Sequence, residues 1–157
     1  MTNLGNAAPW YALWAFAAGI LIPVMAVSNG TLAKVTGNPL LAVTVLFAVG
    51  LVCSVAALLV TGASGTSALL RTPPWLFSGG VIVCFYIFSV TVLAPRFGVG
   101  NTILFVVAAQ ILTSTTIDHF GLLGASPRPV SVLRLIGVLV LLVGLGITQF
   151  ADRKPPI

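Results

Sequence analysis

The chain has 157 residues, 59% hydrophobic and 6% charged, with seven Lys or Arg against two Asp or Glu and a formal net charge of +5. A soluble domain carries roughly a quarter of its residues as charges, so these few ionic side chains cannot clothe a water-facing surface. The composition excludes a soluble globular enzyme, and it excludes nucleic-acid binding through a folded basic surface. An integral membrane protein remains.

A helix needs about 20 apolar residues to cross the hydrocarbon core, and lipid tolerates little except helices and closed barrels. The apolar runs here are continuous rather than alternating, which argues against a barrel. In chain order they predict five spans, at residues 9–33, 39–60, 74–94, 99–117 and 130–150. The expected fold is all-α, a single five-helix transmembrane domain over residues 1–157. Pro9, Pro39, Pro74 and Pro129 stand at or just before the expected helix starts, where a missing N–H costs nothing. The breaks carry Gly or Pro and at least one charge. The first run has no basic residue ahead of it and is too long for a signal peptide.

The first span contains Pro23, which removes a backbone bond and frees the carbonyl of Gly19 in mid-membrane. Ser28 and Asn29 follow, before Lys34 reaches the interface. This stretch is either a substrate surface or a helix–helix joint. In the second span Gly50, Ser54, Ala57 and Thr61 form a stripe of small residues suited to close packing. Gly79 and Gly80 open the third, where a neighbouring backbone can approach. Cys53 and Cys84 sit among apolar neighbours, in no metal or redox motif.

The fourth span holds most of the polarity. Gln110, Ser114 and Asp118 are spaced i, i+4, i+8 and share one stripe, with Thr113 and Thr116 on adjacent faces and Asn101 near the helix start. Such groups avoid lipid and turn toward neighbouring helices or a wet cavity. Ser and Thr, which also bond their own helix backbone, are expected in interhelical hydrogen bonds, with Ser114 a pathway candidate on the stripe. Gln110, two turns inside the membrane end, is a candidate for lining a pathway. Asp118 and His119 end the span. Asp118 either caps the helix, bonding loop amides or Arg128, or serves, with His119 beside it, as a cation-attracting or proton-exchanging mouth. His119 lies about 100° further round and cannot share its face. In the fifth span Gly137 and Gly144, seven apart, mark another packing face.

Positive charge in short loops normally decides orientation. Here one side carries Arg71, Arg128 and Arg134, and the other Lys34, Arg96, Arg153 and Lys154. This near balance means either one topology with a weak bias, or a chain that inserts both ways or pairs with an oppositely oriented partner. Many secondary transporters use two inverted repeats with substrate at the interface between them. Five helices are half of such an architecture, and two antiparallel copies supply the whole.

The stretches "IPVMAVSNGTLAKVTGNPLLAVTVLFAVG", "PPWLFSGG", "LAPRFGVGN" and "AQILTSTTIDHFGLLGASPRPVSVLRLIG" together resemble the YdcZ-type family of small bacterial inner-membrane proteins. That family is a branch of the drug/metabolite transporter superfamily. The resemblance runs from about Gly19 to Gly146. It implies five helices per unit, and members that occur singly, as adjacent gene pairs, or as fused ten-helix proteins with oppositely oriented halves. Many members resembling this chain carry Gln where Met25 stands, four residues before the Asn matching Asn29, so any polar contact of that Gln is absent. By analogy with related transporters the fifth span is a candidate dimer contact.

No carboxylate lies in the middle of a span, so a proton-coupled antiporter built on a central acid is not supported. No phosphate-binding glycine loop, metal cluster or nucleophile–base pair is present, and neither enzymatic activity, a cofactor nor a metal is expected. The basic excess fits contact with anionic lipid headgroups. The expected function is a drug/metabolite-type transporter unit in the bacterial inner membrane, moving a small metabolite or organic cation by alternating access. It would act as an antiparallel homodimer or as a heterodimer with an oppositely oriented homologue. The alternative is a non-transporting subunit that stabilises or regulates another membrane protein.

Overall fold

A computed structural model describes residues 4–62, 66–69 and 71–151, with backbone alone at 4–8, 66–67 and 150. Among the described residues every regular element is helical: α1 (Leu4–Thr36), α2 (Pro39–Thr61), the short α3 (Thr66–Leu69), a 3-10 turn at Pro74–Phe77, α4 (Ser78–Phe97), α5 (Val99–Phe120), a second 3-10 turn at Leu122–Gly124, and α6 (Val132–Ala151). Five stretches are long and apolar enough to cross a membrane: Pro9–Thr36, Pro39–Thr61, Pro74–Phe97, Val99–Phe120 and Val132–Gln149. The five expected spans are these. Arg153 and Lys154, counted in the charge balance, lie outside the described residues.

The helix ends differ from expectation in a consistent way. α1, α4 and α5 run past the first charged residue and stop at Gly37, Gly98 and Gly121, whose φ values are 67°, 91° and 62°. A positive φ is nearly free for glycine and closes the last helical turn. Lys34, Arg96, Asp118 and His119 are therefore helical residues rather than loop residues. Pro9 also falls inside α1, which runs unbroken through Pro9 and Pro23. At the next start Asn38 accepts from the N–H groups of Leu40 (3.0 Å) and Leu41 (3.3 Å), with Pro39 at the first helical position. That is a side-chain N-cap followed by the one residue with no N–H to satisfy.

The chain divides into two compact units, residues 1–99 and 100–157. In the first, α1, α2 and α4 pack together. The buried positions are Ala26, Asn29, Gly30 and Ala33 of α1, Ala42 and Val43 of α2, and Ile87, Val90, Thr91 and Ala94 of α4. The i, i+3, i+4, i+7 spacing on α1 and on α4 puts each set on one helical face. Alanine and glycine dominate because association in lipid gains from close backbone approach rather than from expelling water. All of this burial lies in the half of the unit near Lys34 and Arg96. In the other half, residues 9–21, 48–61 and 75–85 are exposed throughout.

In the second unit α5 and α6 are joined by a connection that turns at Gly121. A Cβ there would stand 2.7 Å from Pro127 Cγ, so the site excludes any side chain. Ser131 starts α6, its Oγ accepting from the N–H of Arg134 at 3.2 Å.

Candidate functional site

In the first unit Asn29 is 7% exposed and its Nδ2 donates to Oγ1 of Thr91 at 3.5 Å. The α1 stripe that carries Asn29 faces α4, so this residue is part of the helix–helix joint. One residue on, Gly30 meets α4 so closely that a Cβ would stand 2.9 Å from Pro95 Cγ. Pro95 carries no N–H, so the carbonyl of Thr91 loses its helical donor, and that carbonyl lies 4.0 Å from the same point. Lys34, a turn beyond Gly30, and Arg96, beside Pro95, line one cavity of about 310 Å³ together with Gly30, Thr91 and Pro95. Gly19 is exposed, with open space where a Cβ would be.

In the second unit the polar stripe of α5 divides by environment. Gln110 is exposed, and among the described residues its amide has no hydrogen-bond partner. Ser114 and Thr116 turn back on their own helix, donating to the carbonyls of Ile111 (3.1 Å) and Leu112 (2.9 Å). Asp118 forms an ion pair with Arg134, Oδ2 to Nη2 at 2.9 Å, with both side chains partly exposed. Arg128 contributes its backbone instead, its N–H donating to the Asp118 carbonyl at 2.7 Å. The side-chain partner of Asp118 is thus Arg134 and not the expected Arg128 or loop amides. Arg128 is committed through its main chain, while Arg134 sits in the first turn of α6.

Adjacent His119 accepts the N–H of Val130 on Nδ1 at 3.2 Å. An amide N–H cannot bond a protonated nitrogen, so the neutral ring carries its proton on Nε2. His119 also meets Phe120 edge-on, 4.7 Å between centroids. Asp118 and His119 both hold the α5–α6 connection, through different groups on different faces.

At the opposite end of the hairpin Gln149 Nε2 donates to Asn101 Oδ1 at 2.9 Å. Residues 101 and 118 are separated by about 25 Å along a helix, so polar contacts clip α5 to α6 near both ends of the membrane span. At the Asp118–Arg134 end two cavities lie against α5 and α6. One of about 410 Å³ includes His119, Phe120 and Leu135, and one of about 380 Å³ includes Ser114, Arg134 and Gly137, with Thr115 and Val138 lining both. Thr115 Oγ1 is buried with no hydrogen-bond partner. Sequence reasoning singled out Asn101 but missed Gln149, Thr115, Thr91 and the Gly30–Pro95 contact, since each depends on which helices meet.

Among the described residues of their own units the expected packing residues form no close contact. Gly50, Gly79, Gly80, Gly137 and Gly144 are exposed, with nothing within 4 Å of an added Cβ. Ser54 is exposed and bonds its own helix at the Leu51 carbonyl, 2.9 Å.

A family model described as "Putative inner membrane exporter, YdcZ" matches residues 10–147. No curated protein and no solved structure matches the chain.

Proposed function

The chain belongs to the YdcZ family of inner-membrane exporters, and on that premise we propose that it is half of a transporter, completed by a second, oppositely oriented five-helix unit. It is a multi-pass inner-membrane protein, and the proposed dimer carries a small molecule across by alternating access. The observation that carries this reading is Gln110, an exposed amide with no partner among the described residues, on a helix whose Ser114 and Thr116 bond their own backbone and whose Asp118 is paired with Arg134. An amide left unbonded in a hydrocarbon medium costs roughly 4–8 kcal/mol. The face of α5 that bears it therefore suits water, a substrate or another chain, and not lipid.

The open glycine faces support the same reading. Gly50, Gly79, Gly80, Gly137 and Gly144 offer close backbone approach and meet nothing within 4 Å among the described residues of their own units, as surfaces awaiting a partner would. Asp118 is less suited to recruiting a cation than its isolation in the sequence suggested, because Arg134 already balances its charge. Gln110, with Ser114 a turn away, is the better candidate for the pathway, and Gly19 with its freed carbonyl is a second polar point on the open half of α1.

The test is flux by purified protein in liposomes, across a panel of organic cations, organic anions and neutral metabolites, with subunit number counted by single-molecule photobleaching in the same vesicles. Export of at least one class by a two-subunit species is expected. A folded protein that remains one subunit per vesicle, or a dimer that moves none of the panel, would overturn the proposal.

A further inference from the structure

The first unit contains three basic side chains, Lys34, Arg71 and Arg96, and no acidic one, since the acidic residues of the chain are Asp118 and Asp152. Lys34 and Arg96 line the same cavity of about 310 Å³. Among the described residues neither has a carboxylate partner, and within the unit none is possible. The position of this pair follows from packing. Gly30 and Pro95 are in contact closer than any side chain on Gly30 would allow. Lys34 follows Gly30 on the same helical face one turn later, and Arg96 is the next residue after Pro95. The contact that locks α1 to α4 therefore also brings two like charges to one crevice at a membrane end. Thr91, which lines the crevice, accepts the hydrogen bond of Asn29.

Like charges brought together without a counter-ion repel, and the helix C-termini they occupy stabilise cations without neutralising them. Arg supplies a planar fork matched to oxygen anions, and Lys a mobile point charge. The geometry points to an oxyanion site at Lys34 and Arg96, taking a phosphate-type group from an anionic lipid headgroup or from a soluble ligand. This site does not depend on the transport reading, since an anion can be held there whether or not the chain moves a solute.

The experiment uses the purified full-length protein in nanodiscs. In phosphatidylcholine discs the probe is inorganic phosphate, followed by equilibrium dialysis. In discs containing phosphatidylglycerol the probe is that lipid, followed by its retention in native mass spectrometry. At least one of the two is expected to be held, and Lys34→Gln and Arg96→Gln should each weaken it by roughly fivefold, the value of one basic residue near an anionic surface. Arg96→Lys should keep part of the binding, and Arg71→Gln, which removes equal charge away from the cavity, should keep all of it. Phosphate binding in phosphatidylcholine discs identifies a soluble ligand, and phosphatidylglycerol retention alone identifies a lipid. Both support the site provided that unchanged melting temperatures show the variants to be folded. Failure of both probes, or equal weakening by Arg71→Gln, overturns it, because general attraction of a basic protein for anions would not distinguish the three residues.

Discussion

Arg134 in the first turn of α6 places Nη2 2.9 Å from Oδ2 of Asp118 in the last turn of α5. Each charge stands at the wrong end of its own helix, since a helix N-terminus disfavours cations and a C-terminus disfavours anions. Each residue is tolerated because the other is there, and the pair joins the two helices across the turn at Gly121.

Removing one partner should therefore cost more than removing both. Partly exposed ion pairs contribute about 0.2–1 kcal/mol, so Asp118→Asn and Arg134→Gln are each expected to lower stability by that order. The double variant should recover much of the loss. Thermal unfolding in detergent over the complete double-mutant cycle measures the coupling, and strictly additive losses would show that the contact is energetically idle. Uptake by Asp118→Asn should equal that of the original protein at both low and high ionic strength. A defect seen only at low salt would mean that the carboxylate draws in a cation despite Arg134.

Gln110→Ala tests the pathway. Interhelical hydrogen bonds in membranes average about 0.6 kcal/mol, and Gln110 makes none among the described residues, so the variant should fold and dimerise normally. Transport or ligand binding should fall. A marked drop in melting temperature, unrelieved by any transported solute, would make Gln110 part of a packing seam instead.

Gly30→Val tests the α1–α4 joint. Its Cβ alone would lie 2.9 Å from Pro95 Cγ, and the proline ring cannot swing aside as a flexible chain would. Overpacking of this kind costs about 1–3 kcal/mol, read as lowered thermal stability. Pro95→Ala in the same chain should restore part of the loss, because it removes the obstructing ring and returns an N–H to the carbonyl of Thr91. If Gly30→Val melts like the original protein, the helices are not held by this contact.

Orientation gives the last expectation. Reporters fused to the C-terminus should give signal from both sides of the membrane, and a pair of lysines added after Lys154 should drive nearly all copies to one orientation, C-terminus inside. A population already fixed one way, in cells without an oppositely oriented homologue, would rule out the homodimer.

The sequence by itself determined the class of solvent, the number of spans and their approximate limits. The reason is that hydrophobic length is a local property and the bilayer imposes one length on every crossing. The sequence left Ser114 and Thr116 a choice between a neighbouring helix and their own backbone, and they donate to the Ile111 and Leu112 carbonyls, a contact that needs only the helix carrying them. Tertiary structure decided whatever depends on two helices at once. Proximity in the chain offers Asp118 loop amides or Arg128, but helix geometry selects Arg134, sixteen residues away, because the first turn of α6 comes back alongside the last turn of α5. Asn29 could be read as pathway or joint until α4 placed Thr91 against it. Lys34 and Arg96 count in the sequence as two interfacial charges on one side of the membrane. Only the Gly30–Pro95 contact makes them a site, because side chains sixty-two residues apart share a cavity only when the helices that carry them touch.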